Sequence, residues 1–381
     1  MKIAILGFGT VGRGAYEAVC ECDCGLEVKR VLDIRVPEGF EDIVTTDYAV
    51  ILNDPEIEIV AEAIGGLHPA YEFVTAALSA GKSVVSANKH LICHYFRELH
   101  ELAKENGAEL RFTSSVGGGI PWLYNLRRAK RCDTVLWLRG IMNGTTNYIL
   151  DAMQNLGSDF AEVLAAAQQL GYAESDPSAD IDGIDVRRKC AISASLAFDA
   201  VYGEEDVPTF GIRNITKEDI DYFSSLGLTC KLLGQAKREG DETVAYVEPA
   251  LLPADAVESA IGTNYNCITL FGEKLGRLSL IGQGAGKYPT GIALVGDMLD
   301  IASGAGRTPV SMNAPKINRA LFSHRYYIRT VAEIPADFVE RRDGGAVITR
   351  PMTLDEIHAY ADSIAQIDPQ AFFAGLEDTV E

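Results

Sequence analysis

The pattern with the strongest consequences for the fold is a glycine-rich loop near the N-terminus. An apolar run at 2–6 leads into the loop and apolar residues at helical spacing follow it, which predicts a strand, a tight turn and a helix. The loop consists of Gly7, Phe8, Gly9, Thr10, Val11 and Gly12. In a dinucleotide-binding turn, the three glycines allow the turn, the approach of a pyrophosphate and the packing of the helix on the strand. We therefore predict that these six residues bind a dinucleotide; the alternative is a glycine-rich turn without a ligand.

Strands and helices alternate after this loop. Further strands are predicted at 27–33, 57–64, 83–86 and 109–113, with helices near 69–80 and 89–105 between them. This alternation is typical of a parallel sheet with helices on both faces. Residues 1–125 are therefore predicted to form a Rossmann-type doubly wound α/β domain.

The pattern changes after residues 117–121. A strand is predicted at 136–141, followed by helices at 146–155, 159–169 and 184–200 and by strands at 229–236 and 243–250. This order predicts an α+β domain over 126–286, with an antiparallel sheet covered by helices on one face. A helix within 287–306 is expected to return to the first domain, and 307–381 is expected to form a C-terminal appendage.

Composition and charge exclude several classes of protein. The 381 residues carry a net charge of −20 that is spread along the chain, which argues against a nucleic-acid partner because such a partner needs a basic face. No run approaches the roughly 20 apolar residues of a membrane span, and the N-terminus enters a strand without a signal peptide. The eight cysteines are too few for a disulfide framework, and Cys20, Cys22 and Cys24 lack the spacing of a zinc site. We expect a cytoplasmic protein of two or three domains without membrane or nucleic-acid partners.

Two charged residues at the end of the second strand bear on the choice of cofactor. Asp33 lies where an acid binds the ribose hydroxyls of NAD, whereas Arg35 suits the 2′-phosphate of NADP. The sequence does not decide between the two cofactors.

A further cofactor-binding segment is predicted at the end of the strand 83–86. Ser86, Ala87 and Lys89 lie at the carboxyl edge of the predicted sheet, where doubly wound folds bind their ligands. Lys89 is therefore a candidate to face the nicotinamide and the substrate; the alternative is an ordinary surface lysine.

The segment 171–189 concentrates five carboxylates beside a lysine. Asp185 and Lys189 are four residues apart on a predicted helix, so they project from one face. Taken singly, such residues are more simply explained as surface ion pairs, turns or helix caps, and this is our interpretation of Asp176 and Asp182. Beside a dinucleotide, however, a lysine can protonate the alkoxide that forms when an aldehyde is reduced, and a carboxylate such as Glu174 can hold an α-ammonium group. The combination indicates an amino-acid oxidoreductase.

Six separate motifs resemble those of the homoserine dehydrogenase family. They occur over about residues 1–305 as GFGTVG at 7–12, SANK at 86–89, SSVGGGIP at 114–121, GIMNGTTNYIL at 140–150, GYAESDPSADIDGIDVRRK at 171–189 and GQGAGKYPT at 282–290. The resemblance implies reversible NAD(P)H-dependent reduction of L-aspartate 4-semialdehyde to L-homoserine, at the branch leading to threonine, methionine and isoleucine. It also implies a homodimer or homotetramer formed through the second domain, which binds the substrate.

The resemblance assigns roles to individual residues. It implies that Lys189 and Lys89 serve proton transfer and polarise the reacting oxygen, with Asp185 in the same catalytic set. The residues implied to bind the substrate are Gly144, Thr145, Gly171, Glu174, Asp180 and Asp185. Those implied to bind the cofactor are Gly7, Phe8, Gly9, Thr10, Val11, Gly12, Asp33, Arg35, Ser86, Ala87, Lys89 and Gly284.

Two features depart from the family pattern. Family members often bind a monovalent cation, commonly sodium, through a glutamate and through carbonyls that match Val116, Gly118 and Ile120, but Thr113 stands where the glutamate is expected. Many members also end in a threonine-sensing ACT domain. The strand predicted at 326–331 resembles its start, yet the expected Pro-Gly turn is Pro-Ala and few residues follow it. We therefore expect an incomplete or absent ACT domain and weak or absent inhibition by threonine.

Two other functions stay open at this point. An aldehyde dehydrogenase acting on the same semialdehyde needs a nucleophilic cysteine with a histidine base, and neither Cys132 nor Cys190 has such a partner in the sequence pattern. A non-catalytic dinucleotide sensor would keep the glycine loop but would have no need of the charged set Lys89, Glu174, Asp185 and Lys189 together.

Overall fold

A computed structural model describes residues 1–305 and 310–377. They divide into two compact units. The first comprises Met1–Cys132, Ser195–Gly203 and Gly282–Ala314, and the second comprises Asp133–Ala194, Glu204–Ile281 and Pro315–Glu381. The domain boundaries expected from the sequence stay predictions, and the one between 306 and 307 lies outside the described residues.

The helices and strands follow one another in three groups along the chain. The N-terminal group is β1 (Lys2–Leu6), α1 (Thr10–Glu21), β2 (Glu27–Leu32), β3 (Val44–Thr45), α2 (Ala49–Leu52), β4 (Ile57–Glu62), α3 (Ala70–Ser79), β5 (Ser83–Ser86), α4 (Lys89–His94), α5 (Phe96–Glu105), β6 (Leu110–Arg111) and α6 (Trp122–Lys130). The central group is β7 (Val135–Ile141), α7 (Gly144–Leu156), α8 (Phe160–Gln169), α9 (Ser178–Ile181), α10 (Ile184–Phe198), α11 (Lys217–Ser225), β8 (Leu228–Glu239), β9 (Glu242–Pro253), β10 (Tyr265–Gly272), β11 (Gly276–Gln283) and α12 (Lys287–Ala302). The C-terminal group is β12 (Ser323–Arg329), β13 (Val339–Asp343), β14 (Ala346–Thr349), β15 (Met352–Thr353), α13 (Leu354–Ile364) and β16 (Phe372–Leu376).

The first unit is built on a six-stranded parallel sheet with the strand order β3-β2-β1-β4-β5-β6. β1 and β4 are apolar and buried over most of their length, as expected of central strands covered on both faces. The order reverses between β1 and β4, and doubly wound sheets bind ligands at this switch point, outside the carboxyl ends of the strands. The predicted Rossmann-type doubly wound fold is confirmed.

Glycines bring α12 close to α1 within this unit. A Cβ at Gly14 would overlap the carbonyl oxygen of Lys287, and a Cβ at Gly291 would lie 2.6 Å from the amide nitrogen of Ala15. Leu294 of α12 lies in the same apolar core as the residues of β1. α12 is therefore part of the first unit, although it is distant from β1 in the sequence.

The second unit contains a ten-stranded mixed sheet. Its main strands run in the order β11-β10-β7-β8-β9-β16-β12-β14-β13, and β15 pairs with β12 beside this path. The strands from β10 to β9 pair in the antiparallel direction, as predicted, whereas β9 and β16 are parallel. The α+β class is confirmed, and the parallel pair is a feature that the sequence pattern did not indicate.

The C-terminal segment continues this sheet. Its first strand, predicted at 326–331, occupies Ser323–Arg329, and α13 begins with a capping box formed by Thr353 and Glu356. Tyr326, Ile357 and neighbouring apolar side chains form a core of their own. The connection from β12 to β13 ends in the 3-10 turn Ala336–Phe338, where a ferredoxin-like βαββαβ unit has a helix. The expectation of an incomplete or absent ACT domain stays a prediction.

Across residues 1–305 and 310–377, no helix combines the length and apolar character that a membrane span requires.

Candidate active site

The glycine loop of the first unit has a conformation that requires glycine at two positions. Gly7 has a φ of +93°, and a Cβ there would lie 2.9 Å from the carbonyl oxygen of Ala63. A Cβ at Gly12 would overlap the carbonyl oxygen of Gly7, whereas among the described residues nothing lies within 4 Å of a Cβ built on Gly9. α1 begins at Thr10, so its first amides lie at the loop. This is the geometry of a phosphate-binding turn.

The carboxylate of Asp33 is attached to this loop. It follows the last residue of β2 and accepts hydrogen bonds from the amides of Phe8 at 2.6 Å and of Arg35 at 3.1 Å. Arg35 is exposed. A second cation, Arg13 of α1, has its guanidinium 5.0 Å from the centre of the Phe8 ring and was not indicated by the sequence pattern. The predicted ribose-binding acid and two arginines therefore lie around the glycine loop.

Glu62, at the end of β4, is a buried carboxylate that the sequence pattern also did not indicate. Its Oε1 accepts hydrogen bonds from the amides of Ile64 at 2.9 Å and Gly65 at 3.1 Å, and its Oε2 accepts one from the Ser86 hydroxyl at 2.5 Å. Burial raises the pKa of Glu62, and these hydrogen bonds oppose that effect. The carboxylate links the turn after β4 to the end of β5, at the edge of the sheet where the ligand is expected.

Lys89 is the first residue of α4 and lies next to this network. Asn88 caps the helix by accepting a hydrogen bond from the Leu91 amide at 3.1 Å, and its Nδ2 donates to the carbonyl of Gly66 at 2.6 Å. Lys89 is half-buried, as is Ala87. Both residues lie at the carboxyl edge of the parallel sheet, as predicted; their roles stay predictions.

In the second unit, α10 positions the predicted pair of Asp185 and Lys189. Lys189 Nζ donates hydrogen bonds to Asp185 Oδ2 and to the carbonyl of Met142, both at 2.7 Å. The two side chains are only 5% and 9% exposed, for Asp185 and Lys189 respectively. An exposed pair of this spacing contributes little to stability, but withdrawing both charges from water is costly unless their geometry is good. The ammonium group is therefore held in a defined position, in contrast to an ordinary surface ion pair.

Asn143 connects this pair to a second aspartate and was not among the predicted site residues. Its Nδ2 donates to Asp180 Oδ1 at 2.7 Å and to Asp185 Oδ2 at 2.8 Å. Its Oδ1 caps α7 by accepting a hydrogen bond from the Thr146 amide at 2.8 Å. The helix-capping signal was present in the sequence as Asn-Gly-Thr-Thr. The bonds to the two aspartates depend on residues about 40 positions away, which the local pattern does not contain.

The start of α7 and the segment after α8 meet at the residues predicted to line the substrate pocket. Thr145 Oγ1 donates a hydrogen bond to the carbonyl of Tyr172 at 2.7 Å. A Cβ at Gly144 would lie 2.6 Å from the carbonyl oxygen of Asn264, and Gly171 has a φ of +76°. Both glycines therefore occupy places where a side chain would be strained.

Glu174 does not share the burial of Asp185 and Lys189. It is exposed, and its backbone carbonyl accepts a hydrogen bond from Gln168 at 3.0 Å. Its predicted role as a substrate-binding carboxylate stays a prediction.

Asp176 and Asp182 each have a polar contact within the second unit. Asp176 accepts a hydrogen bond from the Ser178 amide at 3.1 Å, and this turn lowers its pKa. Asp182 forms an ion pair with Arg213 at 2.6 Å. The contact of Asp176 agrees with its interpretation as a turn residue, whereas the contact of Asp182 is with a residue distant in the sequence, and its interpretation as a turn or cap residue stays a prediction.

The loop 113–121 carries the three carbonyls predicted to bind a monovalent cation. Gly118 has a φ of +55°, and a Cβ there would lie 2.5 Å from the carbonyl group of Gly284. Val116 and Ile120 are buried, and the Ile120 carbonyl accepts a hydrogen bond from the Trp122 amide at 2.7 Å, which occupies one of its two lone pairs. The loop is therefore packed tightly against Gly284, another predicted site residue.

Thr113, which stands where the family has a glutamate, is bound by another carboxylate. Its amide donates to Asp297 Oδ2 at 2.7 Å. Asp297 is buried, and burial raises its pKa to about 6. A carboxylate that the sequence pattern did not indicate thus lies at this end of the loop.

The two candidate nucleophilic cysteines lie in different environments. Cys132 is exposed and its Sγ donates to the Ala129 carbonyl at 3.6 Å; Cys190 is buried and its Sγ donates to the Gln235 carbonyl at 3.4 Å. The contact of Cys132 is with a backbone carbonyl, whereas a nucleophile is activated by an adjacent base.

Comparison with known proteins identifies the family. A model of the homoserine dehydrogenase NAD binding domain matches residues 7–113, and a homoserine dehydrogenase model matches residues 121–299. The homoserine dehydrogenase of Bacillus subtilis is 37% identical over 317 residues, which cover 79% of this chain and 72% of the relative. The chain belongs to the homoserine dehydrogenase family.

Other homoserine dehydrogenases are similar over a greater length. That of Mycobacterium bovis is 35% identical over 387 residues, which cover 93% of this chain and 87% of the relative. The crystal structure of a homoserine dehydrogenase from Thiobacillus denitrificans has a TM-score of 0.89 and 31% identity, and the match covers 99% of this chain and 98% of that one. The similarity therefore includes the C-terminal segment.

Membership of the homoserine dehydrogenase family makes the chain an oxidoreductase with an NAD(P)-binding domain. The predicted family, fold class and enzyme class are confirmed. The roles of individual residues, the cation, the oligomeric state and the choice between NAD and NADP stay predictions.

Proposed function

We propose that the chain catalyses the reversible NAD(P)H-dependent reduction of L-aspartate 4-semialdehyde to L-homoserine, with Lys189 as the proton donor and acceptor. The observation that carries this proposal is the nearly buried ammonium group of Lys189, held at 2.7 Å by both the Asp185 carboxylate and the Met142 carbonyl. A fixed cation of this kind suits a reaction in which negative charge develops on an oxygen atom.

The proposed mechanism divides the work between cofactor and protein. A dinucleotide held at the glycine loop would supply the hydride for the aldehyde carbon. Lys189 stabilises the resulting alkoxide and transfers a proton to it, which yields the alcohol and leaves a neutral amine; the reverse reaction returns the proton. Asp185 and the Met142 carbonyl keep the lysine oriented for this transfer.

The carboxylates of the second unit are proposed to hold the amino-acid part of the substrate. Asp180 and Asp185 are brought together by Asn143 and provide negative charge for an α-ammonium group. Glu174 is proposed as a further contact because it lies exposed in the segment beside Gly171. Lys89 is proposed to polarise the reacting oxygen, on the basis of its place at the carboxyl edge of the parallel sheet.

The experiment that tests the proposal follows reduction of NAD⁺ and of NADP⁺ with L-homoserine as substrate. We expect turnover with at least one cofactor. Cofactor binding without homoserine-dependent turnover would instead indicate a dinucleotide sensor, and turnover of the semialdehyde to an acid derivative but none of homoserine would indicate an aldehyde dehydrogenase.

Asn143 is expected to orient the two aspartates, so replacing it should weaken substrate use. In Asn143→Ala the hydrogen bonds to Asp180 and Asp185 are lost, and we expect kcat/KM for homoserine to fall by about 10- to 100-fold, since a hydrogen bond to a charged group contributes about 1.5–3 kcal/mol. Loss of the helix cap should also lower the free energy of unfolding by about 1 kcal/mol.

The matched control for this prediction is Asn318→Ala. Asn318 also caps a helical turn, with its Oδ1 accepting from the Ala320 amide at 3.0 Å, and it also donates to a carboxylate, Glu242, at 2.7 Å. Steady-state kinetics should give the control a wild-type kcat/KM. Equal losses in both variants would mean that Asn143 acts only as a cap.

We propose that Asp33 favours NAD over NADP, because its carboxylate lies at the end of β2 where it repels a 2′-phosphate. In Asp33→Ala, kcat/KM for NAD⁺ should fall by about tenfold through loss of charged hydrogen bonds, while that for NADP⁺ should not fall as far. Arg35→Ala should change the ratio in the opposite direction. Asp33 also accepts a hydrogen bond from the Phe8 amide, so its replacement can disturb the loop itself. The ratio of kcat/KM for NAD⁺ to kcat/KM for NADP⁺ is therefore the measurement that decides. An equal fall in both values would mean that only the loop was disturbed.

We propose that a monovalent cation, sodium in many relatives, binds the carbonyls of Val116, Gly118 and Ile120. These carbonyls belong to one buried loop, and the carboxylate of Asp297 lies at its start, bound to the Thr113 amide. Activity in sodium chloride should therefore exceed activity in choline chloride at the same ionic strength. Equal activities would argue against the cation.

A homodimer or homotetramer is proposed from the family resemblance and from β11, the strand at one edge of the sheet, which can pair with another chain. Ile281 of β11 and Leu275, just before it, are exposed apolar residues. Light scattering on the purified protein tests it, and a monomeric mass would contradict it. The cytoplasm is proposed as the location because none of the eight cysteines, which lie within the described residues, is in a disulfide. Fractionation of cells that express the chain tests this proposal.

Weak or absent threonine inhibition is expected because the C-terminal segment departs from the ACT pattern at Pro335-Ala336 and in the turn that follows. Initial rates of homoserine oxidation should change little as threonine is added. Strong inhibition at sub-millimolar threonine would overturn this expectation.

A further inference from the structure

Three potential metal ligands lie together in the second unit, away from Asp185 and Lys189 in the sequence. They are Glu248 of β9, His324 of β12 and Glu377, the residue after β16, and their ligand atoms all lie within 4.8 Å of one another. His324 Nε2 is 2.8 Å from Glu248 Oε1. Glu248 is fully buried, and Glu377 is 9% exposed. We refer to these three residues as the Glu-His-Glu cluster.

The register of the sheet assembles this cluster. β12 and β16 pair so that Arg325 lies opposite Leu376, which brings the preceding His324 and the following Glu377 to corresponding positions. β16 also pairs with β9, with Gly375 opposite Ala250. The cluster therefore joins three strands whose residues are far apart in the sequence.

Gly375 leaves room beside the cluster. A Cβ on Gly375 would overlap Glu248 Oε1 and would lie 2.8 Å from His324 Nε2. Any other residue would force these two ligand atoms to move. The absence of a side chain here is thus matched to the position of the two potential ligands.

Neighbouring polar groups orient the two carboxylates. The Tyr326 hydroxyl donates to Glu248 Oε2 at 3.2 Å, and Gln235 Nε2 donates to Glu377 Oε1 at 2.6 Å. Each carboxylate thus has one oxygen held by an outer hydrogen bond, as is common for metal-binding carboxylates.

A buried tyrosine hydroxyl beside the Glu-His-Glu cluster is a second observation that indicates a ligand. Tyr246 lies two residues before Glu248 on β9 and so projects from the same face of the sheet. Its hydroxyl is fully buried and has no hydrogen-bond partner among the described residues. The Tyr246 ring lies 6.2 Å from the His324 ring, measured between their centroids, so the side chain is beside the cluster.

The charges of the cluster call for a cation. Two carboxylates are buried beside one imidazole, and burying unbalanced charge is unfavourable. Arg139, a cation in this region, is already bound to Glu258 by two hydrogen bonds of 2.9 Å.

We propose that Glu248, His324 and Glu377 bind one divalent transition-metal ion of the zinc class. A nitrogen ligand combined with two carboxylates in a closed, buried site is typical of zinc, whereas magnesium and calcium prefer oxygen ligands and retain water. The Tyr246 hydroxyl or a water molecule would complete a four-coordinate site. The ion would tie β12 and the end of β16 to β9, and so would fasten the C-terminal segment to the rest of the sheet.

Cobalt(II) is the probe for the test, because its visible absorption reports coordination in a zinc-like site. The full-length protein is freed of metal by dialysis against a chelator and titrated with Co²⁺, and the titration is repeated for Glu377→Gln and His324→Gln. We expect about one Co²⁺ per chain in the wild type and an affinity lower by about tenfold or more in both variants, as for the loss of a direct ligand. Added Zn²⁺ should raise the melting temperature of the wild type but not of the variants.

Cys20→Ser/Cys22→Ser/Cys24→Ser is the matched control, since these cysteines are the other group of metal-binding side chains that the sequence drew attention to. This variant should bind Co²⁺ like the wild type. Homoserine oxidation is the test of folding, because the cluster contains none of the residues proposed for the reaction. Should His324→Gln fail to fold, the isosteric Glu377→Gln near the end of the chain decides.

Two results would overturn the proposal. One is the absence of Co²⁺ and Zn²⁺ binding by the wild type, which would mean that the two carboxylates share a proton instead. The other is binding that survives in Glu377→Gln or that disappears in the triple serine variant. Neither result bears on the proposed dehydrogenase activity, which is measured separately.

Discussion

Replacing Lys189 with methionine is expected to remove nearly all homoserine dehydrogenase activity. Methionine is unbranched and of similar length, but it carries neither the proton nor the positive charge. A positioned general acid or base contributes about 10²- to 10⁴-fold to the rate, so kcat should fall by about that factor. The Kd for the dinucleotide should remain close to the wild-type value, because Lys189 is not among the residues predicted to bind the cofactor.

The control for this prediction is Lys217→Met. Lys217 forms an ion pair with Asp221 at 2.9 Å and with the same spacing of four residues, but its side chain is 37% exposed, compared with 9% for Lys189. Activity should be unchanged in the control. Lys189→Met also leaves Asp185 buried without its cation, so thermal unfolding must be measured, and kcat must be taken below the unfolding transition. A folded Lys189→Met variant with at least a tenth of the wild-type kcat would exclude Lys189 as the acid.

The parts of the structure that could be predicted from sequence are those encoded by local patterns. The glycine pattern predicts the tight turn of the loop. The structure requires glycine at these positions, because a Cβ at Gly7 or Gly12 would meet backbone atoms. The four-residue spacing of Asp185 and Lys189 likewise predicts contact on one helix face, and the contact is present. The glycine pattern lies within six residues and the charged pair within about one helical turn, so both are visible in the local sequence, although the carbonyl that a Cβ on Gly7 would meet belongs to Ala63.

The features that were not predicted depend on distant residues. Nothing in the local sequence distinguishes Glu62 from the other acidic residues. It is identified as part of the site by its hydrogen bond from the Ser86 hydroxyl on the neighbouring strand. Asn143 shows the same limit, since its capping role is local but its bonds to Asp180 and Asp185 are not. The parallel pairing of β16 with β9 is a third case, because strand order in a mixed sheet is set by packing and not by periodicity.

Two glycines of the loop are expected to respond differently to the same substitution, and the difference separates ligand binding from folding. In Gly12→Ala, the new Cβ overlaps the Gly7 carbonyl oxygen. The backbone must then shift, which costs about 1–3 kcal/mol of stability. Both the melting temperature and the dinucleotide affinity should therefore fall.

In Gly9→Ala, by contrast, only the dinucleotide affinity should fall. Gly9 has a φ of −74°, which alanine adopts without strain, and among the described residues nothing lies within 4 Å of its Cβ. A methyl group there meets only the bound pyrophosphate, and an overlap that costs about 1–3 kcal/mol corresponds to a Kd higher by about 5- to 150-fold. Gly296→Ala in α12 is the control, since it also adds a methyl group in open space, and it should leave the Kd unchanged. Calorimetric titration with the cofactor and thermal unfolding, carried out on the same samples, measure the two effects. If Gly9→Ala binds the dinucleotide as tightly as the wild type, the pyrophosphate does not lie against Gly9, and the loop is a structural turn.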